Sequence, residues 1–159
     1  MKTQAIVFTA PDAVAVIDTT VPEPGDNDVL IETVYSCVSP GTELRCLSGQ
    51  QNGAPAFPFV PGYALCGRIR QVGANVQNVR EGDAVFCTGT QRAEVNRCWG
   101  GHIGHAVVNA GVVFPVPEGV SLHTAVLTKL AAICLRGAKM SRPLPWETVA
   151  VIGLGTVGH

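Results

Sequence analysis

Charge is scarce in this chain of 159 residues, with Asp, Glu, Lys and Arg together at 14% against roughly 25% in an average soluble domain. Disordered chains carry the opposite balance, so general disorder is excluded. The 11 basic and 12 acidic residues nearly cancel to a formal net charge of -1, and no cluster of Lys and Arg forms anywhere. A nucleic-acid groove or an anionic membrane surface needs such a cluster, so neither partner is expected. Long apolar runs are missing too, and none reaches the ~20 residues of a bilayer-crossing helix. The start, Met1–Phe8, lacks the apolar stretch of a secretory signal, which makes a cytoplasmic location the expectation. No C-x-x-C pair occurs among Cys37, Cys46, Cys66, Cys87, Cys98 and Cys134. A disulfide framework is therefore not expected, and small buried thiols are the ordinary reading.

What is abundant is apolar and turn-forming. The chain is 47% hydrophobic with 18 glycines and 11 prolines, a larger share of these two than the ~12% of an average domain. That composition favours a turn-rich β architecture over a helix bundle. The mean hydropathy of +0.27 implies apolar surface that another domain or subunit covers.

Local patterns supply the elements. Gln4–Phe8 and Ala13–Ile17 flank a Pro-Asp turn and predict a hairpin. Asp28–Val38 has two largely apolar rows, which predicts a strand covered on both faces. The run from Pro40 to Leu47 predicts one or two helical turns, and Gln50–Pro61, with its prolines, a surface loop. Strands are expected at Val60–Val72, Asp83–Cys87, His102–Asn109 and Val112–Val116. From Ser121 to about Met140 the apolar spacing becomes helical, and Arg142–Pro145 stops it. Thr148–Ile152 then predicts a short buried strand, followed by Gly153-Leu154-Gly155-Thr156-Val157-Gly158.

That last run has the G-x-G-x-x-G spacing of a dinucleotide-binding turn. In such a turn the first glycine allows a tight bend, the second a close approach to pyrophosphate, and the third close helix–strand packing. An ordinary Gly-rich turn is the competing reading. The acidic residue that binds ribose, expected about 20 residues further on, would fall beyond His159, so a piece of a chain about twice as long is expected. The nearest approach to a metal cluster is Cys98, His102 and His105. Residues three apart on a strand face opposite sides, so no zinc is expected there.

Taken together, the segments resemble the N-terminal half of a medium-chain dehydrogenase/reductase. The most specific stretch is Pro61-Gly62-Tyr63-Ala64-Leu65-Cys66-Gly67 through Val72-Gly73 and Gly82-Asp83-Ala84-Val85. Trp99-Gly100-Gly101, then Pro115, Pro117, Gly119 and Ser121, and finally the glycine run follow in the family's order. The resemblance implies a mostly β fold with some helix: a GroES-like β-barrel catalytic domain over 1–145, running at 146–159 into the first strand and glycine turn of a Rossmann α/β cofactor domain. It also implies hydride transfer between NAD or NADP and a small-molecule substrate, a carbonyl, alcohol or activated alkene. Where dimers form, the cofactor domain is the expected interface.

Two departures shape the expected chemistry. Zinc-dependent members carry a Cys-x-Thr-Asp-like ligand motif where this chain has Ser39-Pro40-Gly41-Thr42-Glu43, and His-Glu where it has Tyr63-Ala64. Serine and tyrosine are poor zinc ligands, and the four-cysteine zinc lobe is missing as well, so a zinc-free branch is expected. The V-S-P-G-T-E-L run is similar to branches that include the bacteriochlorophyllide dehydrogenases. Without a metal, neutral hydroxyls must face the developing oxyanion. Tyr63, Ser39 and Thr42 are the candidate donor or relay set. Tyr63 could equally fill the volume of an imidazole, and Ser39 and Thr42 could cap backbone N–H groups. Glu43 reads as a structural acceptor or helix-start charge, and Cys134 as a cofactor neighbour or a packing thiol. The alternatives carried beside an oxidoreductase are a non-catalytic GroES-like binding module and a lyase-type chemistry on the same scaffold.

Overall fold

In the computed structural model, which describes residues 1–158, the chain opens with the expected hairpin. Strands β1 (Lys2–Ala10) and β2 (Ala13–Thr20) pair antiparallel across a turn at Asp12, whose φ is +60°. Along β1, Thr3, Ala5 and Val7 point inward while Lys2, Gln4 and Ile6 face out, the period-2 pattern of a half-buried strand, and Phe8 is buried on the other side. Next come β3 (Asp28–Ser36), α1 (Pro40–Leu47), β4 (Phe59–Val60), β5 (Leu65–Val72), β6 (Ala84–Cys87), β7 (Asn96–Arg97), β8 (His105–Asn109) and β9 (Phe114–Pro115). Two helices follow, α2 (Leu122–Ala125) and α3 (Thr128–Ser141). No helix among the described residues is long and apolar enough to cross a membrane.

The strands make two sheets, in the orders β2-β1-β4-β7 and β8-β3-β5-β6-β9. The sheets are stitched where Ala5 bridges Ile103 and the Ile6 N–H donates to the His102 carbonyl at 3.0 Å. Between them lies one core that draws Val7 and Val60 from the smaller sheet and Val29, Ile31, Leu65, Ile69, Val85 and Val107 from the larger, all fully buried. Each such side chain contributes about 1.5–3 kcal/mol by leaving water.

Four expectations need correction. The 50–61 stretch is not wholly surface loop, because Phe59 and Val60 pair with β1 and β7 and are buried. Its prolines mask a two-residue strand whose pairing is entirely long-range. Strand β3 is covered on both faces only at Asp28–Ile31, whereas Val34 and Tyr35 are exposed. The single helix expected from Ser121 divides into α2 and α3 at Val126–Leu127. Of its apolar positions Ala125, Val126 and Leu130 are buried, while Ile133 is exposed.

Finally, Thr148–Ile152 forms no strand, and Ile152 is 98% exposed. A parallel strand is held by ladder hydrogen bonds to neighbours, and no described strand lies beside it.

Candidate active site

The site begins at the N-terminus of α1. Ser39 is the N-cap residue in extended backbone, and Pro40 occupies the first turn, where its missing N–H costs nothing. The Ser39 side chain makes no cap bond. Instead the Glu43 carboxylate reaches back, its Oε1 accepting the Ser39 N–H at 2.7 Å, much as the glutamate of a capping box does. With the backbone settled this way, the Ser39 hydroxyl is released for another partner. That partner is Tyr63, whose Oη donates to Ser39 Oγ.

Tyr63 is placed by the Pro61-Gly62 turn. Gly62 has φ +86°, and a Cβ there would stand 2.7 Å from His102 Nε2. Opposite, the Gly101 N–H donates to the Gly62 carbonyl at 2.8 Å and the His102 N–H to the Pro61 carbonyl at 3.1 Å. This lacing brings Trp99, itself at φ +69°, edge-on to Tyr63 with ring centroids 5.4 Å apart. Tyr63 and Ser39 are both half-buried, a position between core and solvent suited to meeting a ligand.

Glu43 and His102 lie beneath this pair, both 6% exposed. Glu43 Oε2 is 2.8 Å from His102 Nε2, and His102 Nδ1 is 2.8 Å from Ser36 Oγ. Glu43 is thus the structural acceptor expected, serving Ser39 and His102 together. The sequence had suggested His102 only as a metal candidate, had passed over Ser36, and had used Trp99 only to mark the family pattern. These contacts join residues far apart in the chain, and local patterning carried no signal for them.

The structure brings Tyr63 and Ser39 together, while Thr42, half-buried in the first turn of α1, joins neither bond. Cys98, His102 and His105 part company. Cys98 Sγ lies 4.0 Å from Cys46 Sγ, His102 binds Glu43 and Ser36, and His105 Nδ1 meets Thr3 Oγ1 at 3.1 Å. Burial lowers the His105 pKa, with Glu32 partly opposing. Burial likewise raises the Cys37 thiol beside Ser36, and the Glu43 charge adds to it.

The glycine run lies apart from this cluster. Gly153 has φ +92°, and the Gly158 N–H donates to the Gly155 carbonyl at 3.1 Å, closing a turn. Gly153 and Gly155 have open space where a side chain would stand, whereas a Cβ on Gly158 would collide with the Gly153 carbonyl. Cys134 Sγ donates to the Val157 carbonyl at 3.2 Å, so α3 lies against this turn.

The sequence profile of the alcohol dehydrogenase GroES-like domain matches residues 25–118. Among curated relatives, the quinone oxidoreductase of Sus scrofa is 29% identical over 133 residues, covering 77% of this chain and 38% of that protein. The 2-desacetyl-2-hydroxyethyl bacteriochlorophyllide A dehydrogenase of Rhodobacter capsulatus is 27% identical over 163 residues, covering 100% of this chain and 51% of that protein. Among solved structures, an alcohol dehydrogenase of E. coli CFT073, complexed with the cofactor NADH, superposes with a TM-score of 0.80 at 21% identity, over 99% of this chain and 51% of that one. This last likeness speaks to fold alone. The chain spans about half or less of the length of these proteins. With the matched domain covering more than half of the chain and every strand of the larger sheet, the chain belongs to the alcohol dehydrogenase GroES-like domain family and, through it, to the medium-chain dehydrogenase/reductase superfamily.

Proposed function

We propose that the chain is the catalytic portion of a zinc-independent, NAD(P)-dependent oxidoreductase acting on a small carbonyl, alcohol or activated alkene. The observation that carries this reading is the hydrogen bond between Tyr63 and Ser39. The two positions at which the resemblance places metal ligands are occupied by hydroxyls that bind each other. As a donor set, two neutral hydroxyls suit an oxyanion better than a divalent cation.

Each group has a defined part in this reading. Tyr63 Oη points a proton toward Ser39 Oγ, and a substrate oxygen arriving beside the pair accepts a hydrogen bond in its place. As charge grows on that oxygen, a preorganised hydroxyl stabilises it with little reorganisation, and Ser39 passes or receives the compensating proton. Glu43 keeps Ser39 still by holding its N–H. Trp99 walls one side of Tyr63.

The open faces of Gly153 and Gly155 fit a phosphate approaching backbone, and Leu154, Thr156, Val157 and Gly158 complete the cradle, with Cys134 beside it. Nicotinamide bound there would supply or accept the hydride. The division into a catalytic part at 1–145 and a cofactor part from 146, a homodimer formed through the cofactor part, and a cytoplasmic location belong to the same proposal.

The test uses the complete gene product with NADH, NADPH and a panel of ketones, enones and quinones, following absorbance of the reduced nucleotide. Turnover with one nucleotide is expected, and Tyr63→Phe should lower kcat by about 100-fold, the scale of a single proton donor, at unchanged far-UV dichroism. Stoichiometric zinc in the purified active enzyme, or full turnover in Tyr63→Phe, would overturn the reading. Failure of the complete product to bind either nucleotide would favour the non-catalytic module.

A further inference from the structure

Beneath the Tyr63–Ser39 pair, the buried imidazole of His102 is held on every side. Its N–H donates to Pro61, its carbonyl accepts from Ile6, and its ring rests over Gly62, where no side chain could stand. Nε2 faces the Glu43 carboxylate at 2.8 Å, and Nδ1 faces Ser36 Oγ at the same distance. In the neutral tautomer that donates Nε2–H to the Glu43 carboxylate, Nδ1 presents a lone pair to the serine. His102 and Glu43 are almost wholly buried, whereas Ser36, at the end of β3, is exposed.

Ser36 also lies where two recesses meet. One, of about 370 Å³, is walled by Ile6, Phe8, Val38, Leu44 and Leu47, and its polar groups are Ser36, His102 and Glu43. The other, of about 220 Å³, shares Ile6, Ser36 and His102 and opens beside Val16 and Val34. A nucleophile in hydrogen-bond reach of a base that a third group orients is recognised by geometry rather than chain order.

We infer that Ser36, His102 and Glu43 form a second reactive site, in which Ser36 is a base-activated nucleophile that takes acyl groups from small apolar esters. The apolar recess accepts the acyl chain, and the smaller one accepts the alcohol portion. Ser36 Oγ bonds to the ester carbonyl carbon as His102 Nδ1 takes the hydroxyl proton. The carbon–alkoxy bond breaks, and the alkoxy oxygen departs with that proton as an alcohol. Water then repeats the exchange, freeing the carboxylic acid and restoring Ser36. The sequence needs no oxidant, no reductant and no nicotinamide, so it stands or falls separately from the oxidoreductase reading.

The experiment treats the protein with an alkyl fluorophosphonate and maps the adduct by peptide mass, using Ser48 as an internal reference. The Ser48 hydroxyl donates to the Arg45 carbonyl at 3.2 Å, and no imidazole among the described residues partners it. Ser36 is expected to label about 100-fold faster than Ser48, the lower bound of general-base assistance. Ser36→Ala should abolish that label and the release of nitrophenolate from p-nitrophenyl butyrate. In a folded His102→Gln protein, labelling of Ser36 should slow by about 100-fold. Equal labelling of Ser36 and Ser48, or nitrophenolate release unchanged by Ser36→Ala, would overturn the inference.

Discussion

Two demands meet at Gly62. Its φ of +86° favours glycine, and the space its Cβ would fill belongs to the His102 ring. Gly82 has nearly the same φ, +87°, with nothing within 4 Å of a Cβ. Gly82→Ala should therefore lose about 1 kcal/mol, the cost of left-handed backbone alone. Gly62→Ala should lose about 3 kcal/mol, because displacing His102 also breaks buried hydrogen bonds. Urea unfolding of the two variants checks this, and equal losses would mean that the imidazole is not anchored against Gly62. Residue by residue, the sequence reading identified side-chain groups and was blind to their partners. Tyr63 and Ser39 were legible as hydroxyls at departures from a family pattern. Their mutual bond was not, because it joins a strand turn to a helix cap 24 positions away.

Elements defined by local pattern formed as expected. The β1–β2 hairpin has alternating burial around a short turn, and α1 starts at Pro40 and ends at Leu47 as its sequence indicates. Elements defined by neighbours did not follow. Phe59–Val60 became a strand because β1 and β7 lie beside it, and Thr148–Ile152 did not because no described strand does. The polypeptide after α3 consequently exposes Trp146 at 79% and Ile152 at 98%. Replacing Ile152 with Ser should change the unfolding free energy by less than about 0.5 kcal/mol while lowering the fluorescence of bound anilinonaphthalene sulfonate. A loss above 1 kcal/mol would show that Ile152 is packed in solution.

For the molecule as a whole, buried titratable groups bound a range of pH. Burial pushes the Cys46 and Cys87 thiols up to about 12 and Cys66 up to about 11, from 9.0, with the Cys98 neighbour adding at Cys46. A raised folded pKa means that the unfolded chain gives up these protons first, so the stability they confer is full below pH 9 and declines between 9 and 12. His105 works in the opposite sense. Its folded pKa is lowered from 6.5, so its contribution is present above that pH and is lost as pH falls below it. Urea midpoints should form a plateau between these limits and fall on either side, and a midpoint that rises at pH 10 would contradict the buried thiols.

Composition and periodicity by themselves determined a β-rich, sparsely charged chain with a glycine turn near its end, and the family resemblance marked Ser39 and Tyr63 as hydroxyls where zinc-dependent members carry ligands. These properties reside in residue identity and in spacing over a few positions, where local backbone preference acts. Only the tertiary structure decided that Glu43, His102 and Ser36 form one hydrogen-bonded line, that Trp99 walls Tyr63, and that Thr42 stands aside. Closure of two sheets on a shared core brings the 36–43, 61–63 and 99–102 segments together. Such contacts depend on packing across the whole fold, which no short window of residues contains.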